Sequence, residues 1–317
     1  VYANYFLYRL YYVLSDIKNK ISHTETRKEN EYVYGVHGSV VILRKECIDK
    51  FLEDSIQIFM YGEELYIAEK LKENQFLSYY DKNLKIIQNK NGFCFGIDAV
   101  LLSDFAKNIK NNAKVLDLGT GTGIISILLC GKTNLEKIIG VEVQKEVANM
   151  AKRSSKLNNL ENKFEIINEN IINLENIYER NSFDVIVTNP PYKKENTGIV
   201  NEEEKKLISR HEVLAKLEDY IKISNKLLKD KGEFYMVHRP ERLVDIIAYM
   251  RQYKIEPKEI RFVCSHEKEP PKLVLIKGVK NAKPFLKFKE DLYIYNDDGS
   301  YTDEIYEIYN KRKNVEN

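Results

Sequence analysis

The apolar run Phe183-Asp-Val-Ile-Val-Thr188 leads straight into Asn189-Pro190-Pro191-Tyr192. A strand of this kind delivers a polar side chain to the carboxyl edge of an open α/β sheet, where such sheets bind ligands. Two prolines fix the backbone and remove its donors, so the local carbonyls remain as acceptors. The Asn189 side-chain oxygen and the Pro190 carbonyl then make a pair of acceptors suited to the two hydrogens of a planar NH2 group. A nitrogen held in this way is favoured as a pyramid, and its lone pair turns out of the ring or carbonyl toward an electrophile. Positioning of that kind supplies much of a rate. Tyr192 offers a face on which the planar group can stack. The chemistry that needs these residue types is methylation of an exocyclic amine. The plainer reading is a proline-stiffened strand exit with no ligand.

A second candidate lies 70 residues upstream. Lys114-Val-Leu-Asp117-Leu-Gly119-Thr-Gly121-Thr-Gly123 reads as strand, glycine turn and helix start. Glycines let the backbone turn tightly and approach a ligand closely, and the helix that follows opens with unsatisfied N–H groups. A dinucleotide site needs G-x-G-x-x-G facing a pyrophosphate. Here the spacing is G-x-G-x-G, and Asp117 would repel a pyrophosphate but can meet an ammonium. Glu142 stands near the end of the next apolar run and can accept both hydroxyls of a ribose. Together these features favour S-adenosylmethionine over a nicotinamide dinucleotide.

The elements that must position both motifs alternate. Strands are expected at 114–118, 137–143, 164–168, 183–188 and 232–238, and helices at 124–129, 145–157 and 214–228. Continuous apolar strand cores require a sheet covered on both faces, and strand–helix alternation implies a parallel, doubly wound arrangement. Two further strands, 260–264 and 273–277, follow each other without a helix and are expected to close the sheet as an antiparallel hairpin. The 50 Lys+Arg against 48 Asp+Glu leave a net charge of +2. That excludes a strongly basic protein but not a local nucleic-acid patch. No apolar run approaches the ~20 residues of a membrane span. Cys47, Cys94, Cys130 and Cys264 form no C-x-x-C pair; no metal site is expected, and reduced thiols in the cytoplasm fit better than a disulfide framework.

These residues resemble the class I S-adenosylmethionine-dependent methyltransferases that act on amino nitrogens through N-P-P-Y. The segment 84–102, with Gly96-Ile-Asp98-Ala-Val-Leu-Leu at its end, is similar to the lead-in of bacterial tRNA adenine-N6 methyltransferases that modify valine tRNA. So are Ser209-Arg210-His211-Glu212, Met236-Val-His238-Arg239-Pro240-Glu-Arg242 and the tail 293–309. The resemblance covers residues 82–317. It implies a Rossmann-like fold with a mostly parallel, seven-stranded sheet. It implies S-adenosylmethionine bound by Asp117, Gly119, Gly121, Gly123 and Glu142, and an adenine held by Asn189, Pro190, Pro191 and Tyr192. Asn170 stands where the family usually carries an Asp near the cofactor adenine. The implied target is the adenine 3′ of the anticodon, a loop base that costs little to splay out. The implied partner is tRNA, with no membrane and no obligate protein partner. A protein glutamine-N5 methyltransferase uses the same tetrad and is the nearest rival. His211 and His238 are not needed as bases in this chemistry, and Arg210, Arg239 and Arg242 suit either phosphates or a solvated face.

Residues 1–81 carry a different likeness. Val36-His37-Gly38-Ser39, Glu63-Glu64 and 68–74 resemble the C-terminal part of family 2 glycosyltransferases. There the acidic pair supplies a general base toward an acceptor hydroxyl. No D-x-D lies upstream of Glu63, and the chain opens on Val1. The expectation is a small, incomplete α/β segment, non-catalytic and severed from another enzyme, ahead of the methyltransferase domain at 82–317.

Overall fold

The apolar runs read as strands form the centre of one large sheet in the computed structural model. The structure describes residues 32–36, 39–43, 75–80, 84–89, 95–192 and 215–309. The chain divides into two compact units, Val1–Tyr66 and Ile67–Asn317. In the first, β1 (Tyr32–Val36) and β2 (Ser39–Leu43) pair antiparallel, with Val36 opposite Ser39. His37, Gly38, Glu63 and Glu64, on which the glycosyltransferase likeness rests, lie outside the described residues, as do Arg210 and His211.

The second unit opens with an antiparallel pair, β3 (Gln75–Tyr80) and β4 (Leu84–Asn89). Helix α1 (Ile97–Phe105) follows. Then come β5 (Lys114–Leu118), α2 (Ile124–Lys132), β6 (Lys137–Val141), α3 (Lys145–Leu157), β7 (Phe164–Ile167) and a 3-10 turn at Ile171–Asn176. The second half holds β8 (Phe183–Thr188), α4 (Leu217–Leu227), β9 (Leu228–His238), α5 (Leu243–Gln252), β10 (Ile255–Cys264) and β11 (Leu273–Lys280). Two-residue strands β12 (Lys287–Phe288) and β13 (Leu292–Tyr293) and the short helix α6 (Asp303–Ile308) end the described part.

The sheet runs β12-β10-β11-β9-β8-β5-β6-β7, with β13 also against β10. Seven long strands make the frame, as expected, and the two short ones extend its edge. β7, β6, β5, β8 and β9 are parallel, whereas β11 runs antiparallel to both β9 and β10. The hairpin of the last two long strands was legible in sequence; both strands are longer than predicted.

Alternate residues of each strand serve opposite faces. Val115, Val185, Val187, Tyr235 and Val237 pack with α1, α2 and α3 in one apolar cluster. Leu116, Ile186, Phe234 and Met236 pack with α4 and α5 in another. Each such side chain removed from water contributes roughly 1.5–3 kcal/mol, and both clusters are needed because a parallel sheet has no face to leave wet. β4 is fastened to α3 by polar groups as well. Ile87 N donates to Ser154 Oγ at 2.9 Å, and the Asn158 side chain bonds both backbone groups of Lys85 at 2.8 and 2.7 Å. Phe95 N, just before α1, donates to Gln88 Oε1 of β4 at 2.9 Å, and the first turn of α1 carries Asp98. Among the described residues no helix is long and apolar enough to cross a membrane.

Candidate active site

β5 and β8 are neighbours, with Leu118 opposite Thr188. Thr188 Oγ1 donates to Leu118 O at 2.8 Å and locks the two strand ends together. The glycine turn and the Asn-Pro-Pro-Tyr segment therefore leave the carboxyl edge side by side, although 70 residues separate them in sequence.

On the glycine side, the N–H groups of Gly119 and Thr120 both donate to Val141 O, at 3.0 and 2.9 Å, tying the turn to the end of β6. Gly121 takes a left-handed φ of 59°, and a Cβ there would meet nothing within 4 Å; the turn is open above it. Gly123 differs: at φ 90° a Cβ would lie 2.8 Å from the Phe164 ring, so only glycine lets α2 start this close to the sheet.

Asp117 is fully buried. Its Oδ2 accepts from Thr120 Oγ1 and Ser126 Oγ, each at 2.7 Å. Its Oδ1 has no partner, the one such buried side-chain polar atom among the described residues. Burial, with a smaller contribution from Glu142, pushes its pKa up to about 6 despite the two hydroxyl donors. Buried polar groups are nearly always paired, so an orphaned carboxylate oxygen at a ligand-binding edge marks a place for a cationic or donor group.

Glu142 is buried as well. Its Oε2 accepts from Gly121 N at 3.1 Å and its Oε1 from Gln144 N at 2.9 Å, so the carboxylate is fixed beside the turn. Asn170 lies just past β7, where Glu169 N bonds Glu142 O. The Asn170 side-chain oxygen accepts from Ile172 N at 3.1 Å and caps the 3-10 turn. Tyr220 of α4, not picked out from sequence, aims its hydroxyl at Gly119, 3.3 Å from where a Cβ would stand. Burial first, then Glu142 and Asp117, raises its pKa.

On the proline side, the Asn189 Nδ2 donates to Asp98 Oδ2 at 3.0 Å. The Tyr192 hydroxyl lies 2.7 Å from that same oxygen and 2.7 Å from Asn189 Oδ1. Burial, followed by the neighbouring Asp98, holds the Tyr192 hydroxyl firmly protonated. The Tyr192 ring meets the edge of His238 at 5.0 Å between centroids, and the Arg239 guanidinium lies 5.4 Å from its ring centre. His238 is buried, and its Nδ1 accepts from Arg239 N at 2.8 Å. Burial drops its pKa to about 4. A neutral imidazole with one nitrogen engaged by backbone suits a histidine that the chemistry does not need as a base. Arg242, the N-cap residue of α5, pairs with Asp245 in the first turn of that helix.

Asp98 is the residue that sequence reading passed over. It sat within a quoted segment, but nothing in a run of Ile, Ala, Val and Leu links an acid to a motif 91 positions away. Thr120 and Ser126 were missed for a similar reason, since hydroxyls in a turn and a helix carry no signal of their own.

With this geometry in hand, comparison with known proteins is specific. A family model described as "Methyltransferase domain" matches residues 109–294. A tRNA1(Val) (adenine(37)-N6)-methyltransferase of Porphyromonas gingivalis is 26% identical over 232 residues, covering 70% of this chain and 89% of that protein. One of the same name from Flavobacterium johnsoniae is 25% identical, covering 64% and 79%. Another, from Histophilus somni, is 31% identical over 157 residues, covering 49% and 65%. Among solved structures, a predicted O-methyltransferase from Agrobacterium tumefaciens superposes with a TM-score of 0.55 at 19% identity, over 69% of this chain and all of that one. That likeness is one of fold.

Proposed function

The chain belongs to the methyltransferase-domain family, and from that premise we propose that residues 82–317 move a methyl group from S-adenosylmethionine to the exocyclic N6 of a tRNA adenine. The adenine is the one 3′ of the anticodon in valine tRNA. The observation that carries the reading is the meeting, at one sheet edge, of an orphaned carboxylate oxygen on Asp117 and an amine-accepting Asn189. The choice of a tRNA adenine is supported by the names of the relatives from Porphyromonas and Flavobacterium, which this chain covers over 89% and 79% of their length.

When bound, S-adenosylmethionine supplies an electrophilic methyl on a sulfonium sulfur. The donor groups present suit it. Asp117 Oδ1 would hold its ammonium, Glu142 its ribose hydroxyls and Asn170 its adenine, while the open turn at Gly121 admits it. Across the edge, Asn189 Oδ1 and the Pro190 carbonyl accept the two N6 hydrogens, and Tyr192 stacks on the target ring. Held by these two acceptors, the N6 lone pair would face that methyl, and the nitrogen that received it would release one proton to water. No residue need act as base before transfer, which agrees with a buried, neutral His238.

The reading is tested by incubating the protein with methyl-labelled S-adenosylmethionine and, in parallel, unmodified bulk tRNA or unmethylated release factor. Label is expected in RNA. Label in the release factor and none in RNA would replace this reading with glutamine-N5 methylation.

A further inference from the structure

Asp98 lies outside both sequence motifs, yet it is the hub of the acceptor side. The residue is 8% exposed. It is presented by the first turn of α1, which packs with α2 in one apolar cluster, and Phe95 N, just before the helix, donates to Gln88 Oε1 of β4 at 2.9 Å. Asp98 Oδ1 accepts from Ala99 N at 3.0 Å, so the carboxylate cannot swing freely. Gly96, the residue before α1, clears its path: a Cβ there would lie 2.8 Å from Asp98 Oδ1. The remaining oxygen, Oδ2, meets Asn189 Nδ2 and the Tyr192 hydroxyl together.

Two consequences follow from donor and acceptor counts. An Asn amide has a donor end and an acceptor end. An amide turned the wrong way would point its NH2 at the target NH2 and hold neither of its hydrogens. A carboxylate oxygen accepts only, so contact with Asp98 Oδ2 fixes Nδ2 inward and leaves Oδ1 for the amine. The Tyr192 hydroxyl, for its part, owns one proton and has two oxygen acceptors at 2.7 Å. With Asn189 Oδ1 unclaimed, that proton is shared between them. Once an amine claims Asn189 Oδ1, the hydroxyl still has a charged acceptor, and charge-assisted bonds are the stronger kind.

We propose that Asp98 is a positioning residue of the transfer site, which orients Asn189 by its donor end and takes over the Tyr192 hydroxyl when the target amine occupies Asn189 Oδ1. This rests on the amine-methylating reading above. It adds a third element to the site and a reason for the acid at the start of α1.

The test compares Asp98→Asn, Tyr192→Phe and the double variant under single-turnover conditions with saturating unmodified tRNA. Asp98→Asn is near-isosteric, and melting temperature and S-adenosylmethionine binding report whether the fold survives. The expected result is a fall in transfer rate of at least tenfold, with the RNA KM and the cofactor Kd changing less than threefold. The double variant should lose less than the product of the two single losses, because both residues serve one shared proton. A rate within threefold of wild type, a parallel loss of cofactor binding, or strictly multiplicative losses would overturn the proposal. Side-chain amide exchange by NMR supplies a readout independent of substrate. The Asn189 NH2 should exchange at least tenfold more slowly in wild type than in Asp98→Ala. Equal exchange would refute the role of Asp98 even if the methylated substrate proved not to be RNA, whereas slow exchange with no methyl on RNA would refute only the substrate.

Discussion

Two buried aspartates stand at the same edge of the sheet and differ in what surrounds them. Asp117 has two hydroxyls on one oxygen and nothing on the other, and its pKa is pushed up to about 6. Asp98 has protein donors on both oxygens. A carboxylate that the protein leaves half-satisfied is destabilising unless a ligand completes it, whereas one that is fully engaged holds other side chains in place. The glycine side of the site is thus built around a missing partner, and the proline side around a finished network. On the proposed reading, the first would bind the cofactor and the second would orient the acceptor.

The largest effect that sharpens this contrast is predicted at Asn189. On the proposed reading, replacement by Ala removes an acceptor of the target amine, and loss of one transition-state acceptor costs about 10²–10³-fold in rate. Single-turnover transfer should fall by that factor, while calorimetry finds cofactor affinity within about threefold of wild type. Equal loss of both would merge the two sides and end the distinction.

Asp117 should behave in the opposite sense. Its raised pKa means that the folded protein favours the protonated acid. That contribution to stability is present below the unfolded pKa of 3.8 and is lost as pH rises through about 6. Over that interval it amounts to about 3 kcal/mol. Asp117→Asn should therefore stabilise the cofactor-free protein by up to about that much at pH 7.5 and hardly at all below pH 4, as read by chemical denaturation. The same substitution should weaken cofactor binding by about 10–100-fold, the usual cost of losing a charged hydrogen-bond partner. Because only the ionised acid attracts an ammonium, wild-type affinity should tighten as pH rises through about 6, and the variant should lose that dependence. A variant that is both less stable and pH-dependent would show that Oδ1 was not awaiting a cation.

A smaller effect is expected at the turn. Gly121→Ala adds a methyl that touches nothing but sits at φ 59°, and the left-handed conformation costs roughly 1–2 kcal/mol for a residue with a Cβ. Because that methyl would also enter the open turn proposed to admit the cofactor, modest destabilisation should come with weaker cofactor binding by calorimetry; destabilisation with unchanged affinity would show that the cofactor does not approach Gly121.

The parts legible in sequence share one trait: their determinants lie close together in the chain. The apolar runs at 115–118 and 185–188, the glycine turn and Asn189–Tyr192 each declare themselves within ten residues. β9 was read too short for a local reason. Leu228-Lys-Asp-Lys-Gly232 looks like a polar turn, and Lys231 does adopt a positive φ of 58°. Leu228 nevertheless pairs with Phe183 across a register shift, and Lys229 reaches the buried Asp184 at 2.8 Å. The expected boundary at 81/82 falls between the paired strands β3 and β4, both in the second unit, which begins at Ile67. Asp98, Ser126 and Tyr220 were invisible as site residues because only the folded sheet brings α1, α2 and α4 to the same edge.

The account turns on an exocyclic nitrogen held by two acceptors, and the position of the methyl on the base reads that directly. Unmodified valine tRNA is methylated with S-adenosylmethionine carrying a labelled methyl, digested to nucleosides and resolved by mass spectrometry. The prediction is N6-methyladenosine as the labelled product. Label on a ring atom, as in 1-methyladenosine or 2-methyladenosine, would contradict it, because those positions carry no pair of hydrogens for Asn189 and Pro190 to hold.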